Sequence, residues 1–423
     1  MNHTIAVPHE IIDEIISHLT DDLPALHSCS VTSRSFYAAS RKHIFSTIRV
    51  YSPSTARKLN TLLDKIPDIT SLVTTLHVYV LPHKERTSLP AILLRLRHVT
   101  QLIIGHEGDI GIMHWRTLSP LIKGALETYI GSPTLNTLVL TSILHLPVSV
   151  LARAEHIKVL KLRSVAFAEP DASGGMEITS PTPIPAPSPM RLESIQFSSS
   201  TATLLQFSSP IYAPRLRTCT IVGNSVDNLL TIKKICSAVE PMCGIENIRW
   251  LECRGDYPDI NTGILTCTRR LEIVTWTFNE YWAMRIPSMW ASISKLMNDA
   301  SISRLEEFRV TLRRTSDLAL LRSIRDHHGG KNADIGNNES FLGAPRAWWV
   351  WIDEHLGDPI YAPKLRTVNF NLEIIGIGSG FMDSDSREFL LLVKKQLPLL
   401  RSRNTGMLAA RLRCFRGYKL YNL

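Results

Sequence analysis

Few stretches of this chain carry residue types at spacings that could perform chemistry. Gly376-Ile377-Gly378-Ser379-Gly380 follows a strand-like run and precedes a helix capped near Asp385, a setting in which backbone N–H groups can hold the phosphates of a dinucleotide. The spacing is GxGxG, however, with Phe381 where a third glycine would stand and no acidic residue at the distance a ribose needs. The stretch therefore reads as a strand-to-helix turn. His98, His106 and His114 are evenly spaced in steps of eight, which suits no compact metal site. Asp353, Glu354 and His355 are sequence neighbours that need not converge in space. Cys29, Cys219, Cys236, Cys243, Cys253, Cys267 and Cys414 include no CxxC pair and sit mostly in apolar runs, so they read as reduced core residues. With no GxSxG, HExxH or Walker loop, the expectation is a non-catalytic chain without metal or cofactor.

What remains is the chemistry of recognition, and it starts at the N-terminus. Pro8 with Glu10 behind it marks a helix start, since proline tolerates the first turn and a carboxylate there complements the helix dipole. Ile11, Ile12, Ile15, Ile16 and Leu19 then recur at helical spacing and give a wide apolar face. Asp21-Asp22 resets the chain for a second helix with Leu23, Leu26 and Cys29, and Ser33 to Phe45 supplies a third with Phe36, Ile44 and Phe45. A unit of about 40 residues cannot bury that much apolar surface within itself and needs a partner.

This block resembles the F-box, whose pattern runs Leu-Pro-x-Glu-Ile, an apolar helix ending in Leu, an acidic-Leu step, and an apolar-x-Ser/Cys-Arg-x-aromatic stretch. The matching positions are Pro8, Glu10, Ile11, Ile15, Leu19, Asp22, Leu23, Leu26, Val31, Ser33, Arg34 and Phe36. Val7 stands for the usual Leu, Thr32 for a commoner aliphatic, and Phe36 for Trp. The resemblance implies docking on the Skp-type adaptor of a cullin-RING ubiquitin ligase, through Pro8, Glu10, Ile11, Ile15, Leu19, Leu23, Leu26 and Phe36. The rest of the chain would then select a protein substrate, and the chemistry would belong to other subunits.

Beyond the block, the pattern apolar-x-x-apolar-x-apolar occurs ten times. It is found at Val73-Leu76-Val78, Val99-Leu102-Ile104, Leu135-Leu138-Leu140, Ile157-Leu160-Leu162, Leu192-Ile195-Phe197, Leu216-Cys219-Ile221, Ile245-Ile248-Trp250, Leu271-Val274-Trp276, Leu305-Phe308-Val310 and Leu365-Val368-Phe370. The steps from 73 to 305 average 29 residues, within the leucine-rich-repeat range. Pro210-Ile211-Tyr212-Ala213-Pro214-Arg215-Leu216-Arg217-Thr218 returns as Pro359 to Thr367 with only Lys364 changed, an echo in which the prolines extend the chain, the leucine packs inward and a strand begins. The last two apolar positions of each motif are two apart and face one side of a strand. Stacked, they predict an α/β fold: a three-helix F-box over 1–50, then over 51–423 an irregular leucine-rich-repeat-like solenoid with a parallel sheet on its concave face and helices outside. The repeats are degenerate, with steps from 22 to 36 and then 60.

Two insertions interrupt the array. Residues 169–190 hold six prolines with Gly174-Gly175 and little apolar content, predicting a disordered loop that is either a tolerated insertion, a polyproline ligand or a carrier of Ser180, Thr182 and Ser188 phosphosites. Residues 327–345 form a second polar loop before Trp348-Trp349-Val350-Trp351, an aromatic cluster expected to seal the stack.

Between the two inward positions of each motif lies an outward residue: His77, Ile103, Val139, Lys161, Gln196, Thr220, Arg249, Thr275, Arg309 and Asn369. Among these and their flanks, Lys161, Arg163, Arg249 and Arg309 are the expected substrate contacts and favour an acidic or phosphorylated segment. The net charge of +9 is concentrated in 387–423, where nine basic residues face the single acid Glu388. Its interleaved leucines read as a solvated helical cap over the last repeat rather than a nucleic-acid or membrane contact. No apolar run approaches a membrane span and the chain opens without a secretory signal pattern, so the expected location is cytoplasmic or nuclear. The leading expectation is a substrate-recognition subunit of an SCF-type ligase. The alternative is a scaffold that uses the same array without an adaptor.

Overall fold

The computed structural model describes residues 7–79, 88–105, 111–168, 191–198, 216–222, 246–251, 269–277, 302, 304–315, 340–341, 344–375, 390–391, 393–403 and 408–415. The 169–190 loop, the Gly376–Gly380 turn, His106, the first copy of the nine-residue echo up to Arg215 and most of the 327–345 loop lie outside these residues. The protein is α/β, built on open parallel sheet, and falls into two compact units, Met1–Leu192 and Glu193–Leu423.

The first unit opens with the three expected helices, α1 (His9–Ser17), α2 (Leu23–Ser30) and α3 (Arg34–Ile44). The caps follow the sequence: the Asp22 carboxylate accepts from the Ala25 N–H at 3.0 Å, and the Ser33 hydroxyl accepts from the Phe36 N–H at 3.3 Å. Ile12, Ile16, Leu26 and Ala39 form the core of this block, with Leu19, Cys29, Phe36 and Ile44 packed against it. The chain passes directly into the sheet, because the Ser46 carbonyl accepts the N–H groups of both Thr74 and Thr75.

The strands of this unit are β1 (Thr47–Val50), β2 (Thr75–Val78), β3 (Gln101–Gly105), β4 (Met113–His114), β5 (Thr137–Leu146) and β6 (Val159–Phe167). They pair in parallel in the order β1-β2-β3-β5-β6, and β4 runs beside β5 beyond the end of β3. Parallel neighbours require crossovers, and α4 (Pro53–Lys65), α5 (Ser88–Arg95), α6 (Pro120–Ile130) and α7 (Val148–Ala152) supply them. The register aligns Leu76, Leu102, Leu138 and Leu160 in one row and Val78, Ile104, Leu140 and Leu162 in the next, and all eight are fully buried. A first strand that the motif search did not include, Ile48 and Val50 of β1, stands in the same two rows. Between helices, the Tyr129 hydroxyl donates to the carbonyl of Leu96, and burial holds that phenol well above its ordinary pKa.

The second unit carries β7 (Ser194–Ser198), β8 (Thr218–Val222), β9 (Asn247–Leu251), β10 (Arg270–Thr277), β11 (Glu307–Thr315), β14 (Thr367–Ile375) and β15 (Leu408–Phe415) in parallel in that order. A short antiparallel pair, β12 (Ser340–Phe341) and β13 (Ala344–Pro345), lies within what the sequence suggested was loop. Two further expectations need correction. In β10 it is Leu271, not Val274, that aligns with Ile248 and Phe308, so Glu272 rather than Thr275 is the outward residue. Leu271 and Ile273, like Val274 and Trp276, are apolar residues two apart, but in the observed register the motif's leading apolar position falls on Thr268, so the pattern selects the other register and only pairing with the neighbours decides. The basic C-terminal segment is helical only in its first part: residues 390–391 and 393–396 and α9 (Pro398–Arg403) are helix, with Val393, Leu397 and Leu400 buried, whereas Leu408 to Phe415 add β15 to the sheet.

The helix α8 (Arg346–Gly357) places Trp349 in the core with its ring 5.3 Å from Phe370, the sealing role expected of the aromatic cluster. Its buried Asp353 accepts the Leu399 and Leu400 N–H groups at 2.8 and 2.9 Å, capping α9 from 46 residues away. Arg403 closes the same joint by donating to the carbonyls of Leu356 and Ala362. In the second copy of the echo, Ala362 and Leu365 are buried and β14 starts at Thr367.

Candidate functional site

Helical periodicity assigned the apolar residues of α1 to a single face, and the structure divides them. Ile12 and Ile16 turn inward, whereas Val7, Ile11, Ile15 and Leu23 stay 44–52% exposed. Pro8 and Glu10 are exposed beside them. Of the eight residues expected to meet an adaptor, Pro8, Glu10, Ile11, Ile15 and Leu23 therefore offer surface, while Leu26 is fully buried and Leu19 and Phe36 pack against the block's own core. The two groups make different contributions: the inner three pack within α1, α2 and α3, and the outer five, apolar except for Glu10, leave their side chains exposed. Val31 and Tyr37 are also exposed, just past the end of α2 and on α3.

The outward row of the sheet is less open than an exposed strand face. In the first unit His77, Val139 and Thr141 are buried, as are Gln196 and Thr311 in the second. Tyr51 and Tyr79 lie with ring centroids 4.6 Å apart at the ends of β1 and β2, and the His77 ring meets Tyr79 edge-on at 5.3 Å. Lys161 and Arg163 are half-buried on β6, opposite Val139 and Thr141 of β5, so no acid stands across from them on that strand.

The other two expected substrate contacts have a different environment. Arg249 of β9 and Arg309 of β11 flank Glu272 of β10 in one row. Arg309 donates to the Glu307 carboxylate at 2.7 Å and lies 3.7 Å from that of Glu272. Glu307 also accepts from Asn369 at 3.4 Å and sits 3.5 Å from the Arg270 guanidinium. Two carboxylates thus compensate the charge that sequence reading offered to an acidic ligand at Arg309. The motif places Thr275 rather than Glu272 in the outward row, so the sequence pattern does not reveal the second of these carboxylates.

Among the described residues no group of three or more His, Cys, Asp or Glu converges to hold a metal ion, and no helix is long and apolar enough to cross a membrane. His114 and His145 approach with ring centroids 5.9 Å apart, a pair without a third ligand among the described residues. No protein-family model matches this chain, and no curated protein matches it.

Proposed function

We propose that the chain is the substrate-recognition subunit of an SCF-type ubiquitin ligase, its helical block docking on a Skp-type adaptor and through it on a cullin. The observation that carries this reading is the exposed set Val7, Ile11, Ile15 and Leu23 on a block that already has its own core in Ile12, Ile16, Leu26 and Ala39. Large apolar side chains exposed at the surface favour a protein partner, and their order along the chain resembles that of the F-box. The rest of the array would take a protein substrate, non-catalytically. Lys161, Arg163, Arg249 and Arg309 are the proposed contacts for an acidic or phosphorylated segment, which at Arg309 would compete with Glu307 and Glu272.

Co-expression with a Skp-type adaptor, read as a stoichiometric complex by size exclusion with light scattering, tests the reading. A chain with Pro8 and Leu23 changed to charged residues keeps its buried core and is expected to lose the complex. A folded wild-type chain that never binds the adaptor would leave the adaptor-independent scaffold as the reading.

A further inference from the structure

The second unit has a consistent charge grammar. Wherever both residues of a cross-strand pair are charged, the signs are opposite: Arg270 with Glu307, Glu272 with Arg249 and with Arg309, Glu373 with Arg313 and with Arg413. The residues entering the strands follow the same rule, running Glu193, Arg217, Glu246, Arg269, Glu306, Arg366, each donating its backbone N–H to the carbonyl of the one before. Opposite charges directly across a ladder stabilise the pairing and like charges weaken it.

Among the described strands, the last charged member of this grammar is a cation. β15 is the last strand in the order, and among the described residues no strand pairs with its other side. Arg411 falls in the row of Asn371 and Arg413 in the row of Glu373, with Leu412 between them in the row of Leu372. An unpaired edge offers a line of backbone donors and acceptors, the template for strand addition. The next position in the Arg313–Glu373–Arg413 row calls for an acid.

We propose that the outer edge of β15 takes up an extended acidic segment of a partner protein as one more strand, with Asp or Glu in the rows of Arg411 and Arg413 and an apolar residue in the row of Leu412. A second copy of this chain paired in the register centred on Leu412 does not meet the requirement. Antiparallel pairing of two β15 strands about Leu412 sets Arg411 against Arg413, a like-charge contact on both sides of the axis. This surface does not depend on the adaptor reading, since it lies in the second unit and α1 and α2 lie in the first.

The test uses the full chain and fluorescein-labelled octapeptides that alternate Val with Asp, or Val with Lys. The Asp peptide is expected to bind by fluorescence anisotropy and to slow amide hydrogen exchange across residues 408–415. Arg411→Glu with Arg413→Glu should weaken it about tenfold or more and let the Lys peptide bind instead. Arg411→Lys with Arg413→Lys should retain the Asp peptide, which separates charge from folding. Three results would overturn the proposal: no binding of the Asp peptide, binding indifferent to charge reversal, or outward-facing β15 amides already protected before peptide is added. Adaptor capture measured on the same variants is expected to be unchanged, so failure at either surface can be read by itself.

Discussion

Asp353 illustrates how one side chain is placed by demands that its sequence neighbours do not reveal. It is buried, yet it accepts two N–H groups at the start of α9, so it stands where an N-cap residue would but comes from another helix. Desolvation raises its pKa, the Leu400 and Leu399 N–H groups pull it back down, and the charge of Glu354 adds a smaller rise. The net rise means that the folded chain holds this proton to higher pH than the unfolded chain. The contribution to stability is therefore full below the unfolded value, near 4, and is lost as pH rises through the raised folded value. Asp353→Asn, which does not titrate, is expected to flatten that part of the acid-range dependence of urea unfolding followed by tryptophan fluorescence. Asp353→Ala leaves two N–H groups without their acceptor and should cost about 1–3 kcal/mol at any pH. An alanine variant as stable as the wild type would mean that α9 does not depend on this cap.

At the scale of elements, most strands were legible because their inward positions must be apolar at fixed intervals to fill buried rows. Leu76, Leu102, Leu138 and Leu160 were found that way and sit in one row. The rule fails where it is satisfied twice, as in β10, or where the filler is small, as with Ala410 beside Leu408 in β15. It also cannot distinguish the buried from the exposed half of a wide helical face, which is why Leu26 and Leu23 were grouped for docking although only Leu23 is exposed. The end of β3 gives a test of element geometry. Gly105 has φ +105°, and a Cβ there would fall 1.8 Å from the Thr141 carbonyl oxygen, since β3 and β5 pair at this point. Gly105→Ala must displace backbone and is expected to cost on the order of 3 kcal/mol or more. Gly124 in α6 is the control, because a Cβ there meets nothing within 4 Å. Gly124→Ala should stabilise by about 0.5–1 kcal/mol. Thermal midpoints that move the same way for both would contradict this account of the β3–β5 junction.

For the molecule as a whole, function and stability are separable in the helical block because its apolar residues divide between a core and a surface. Leu23 and Leu26 are on the same helix, three residues apart, with opposite burial. Leu26→Ala removes a fully buried side chain and is expected to cost about 2–5 kcal/mol. If the block docks on an adaptor, binding favours the folded state, so excess adaptor should recover much of that loss by mass action, about 2.7 kcal/mol at a hundredfold excess over the dissociation constant. Leu23→Glu changes an exposed residue and should leave the unfolding midpoint within about 0.5 kcal/mol of the wild type. No excess of adaptor should rescue its capture, because the contact itself is gone. The two variants thus fail for different reasons, and a titration of adaptor against each, with unfolding followed in parallel, distinguishes them. If Leu26→Ala were the one beyond rescue and Leu23→Glu bound normally, the exposed face of α1 and α2 would not be the docking surface. The block would then be an N-terminal cap on the first unit, consistent with the direct passage from α3 through Ser46 into β1 and β2.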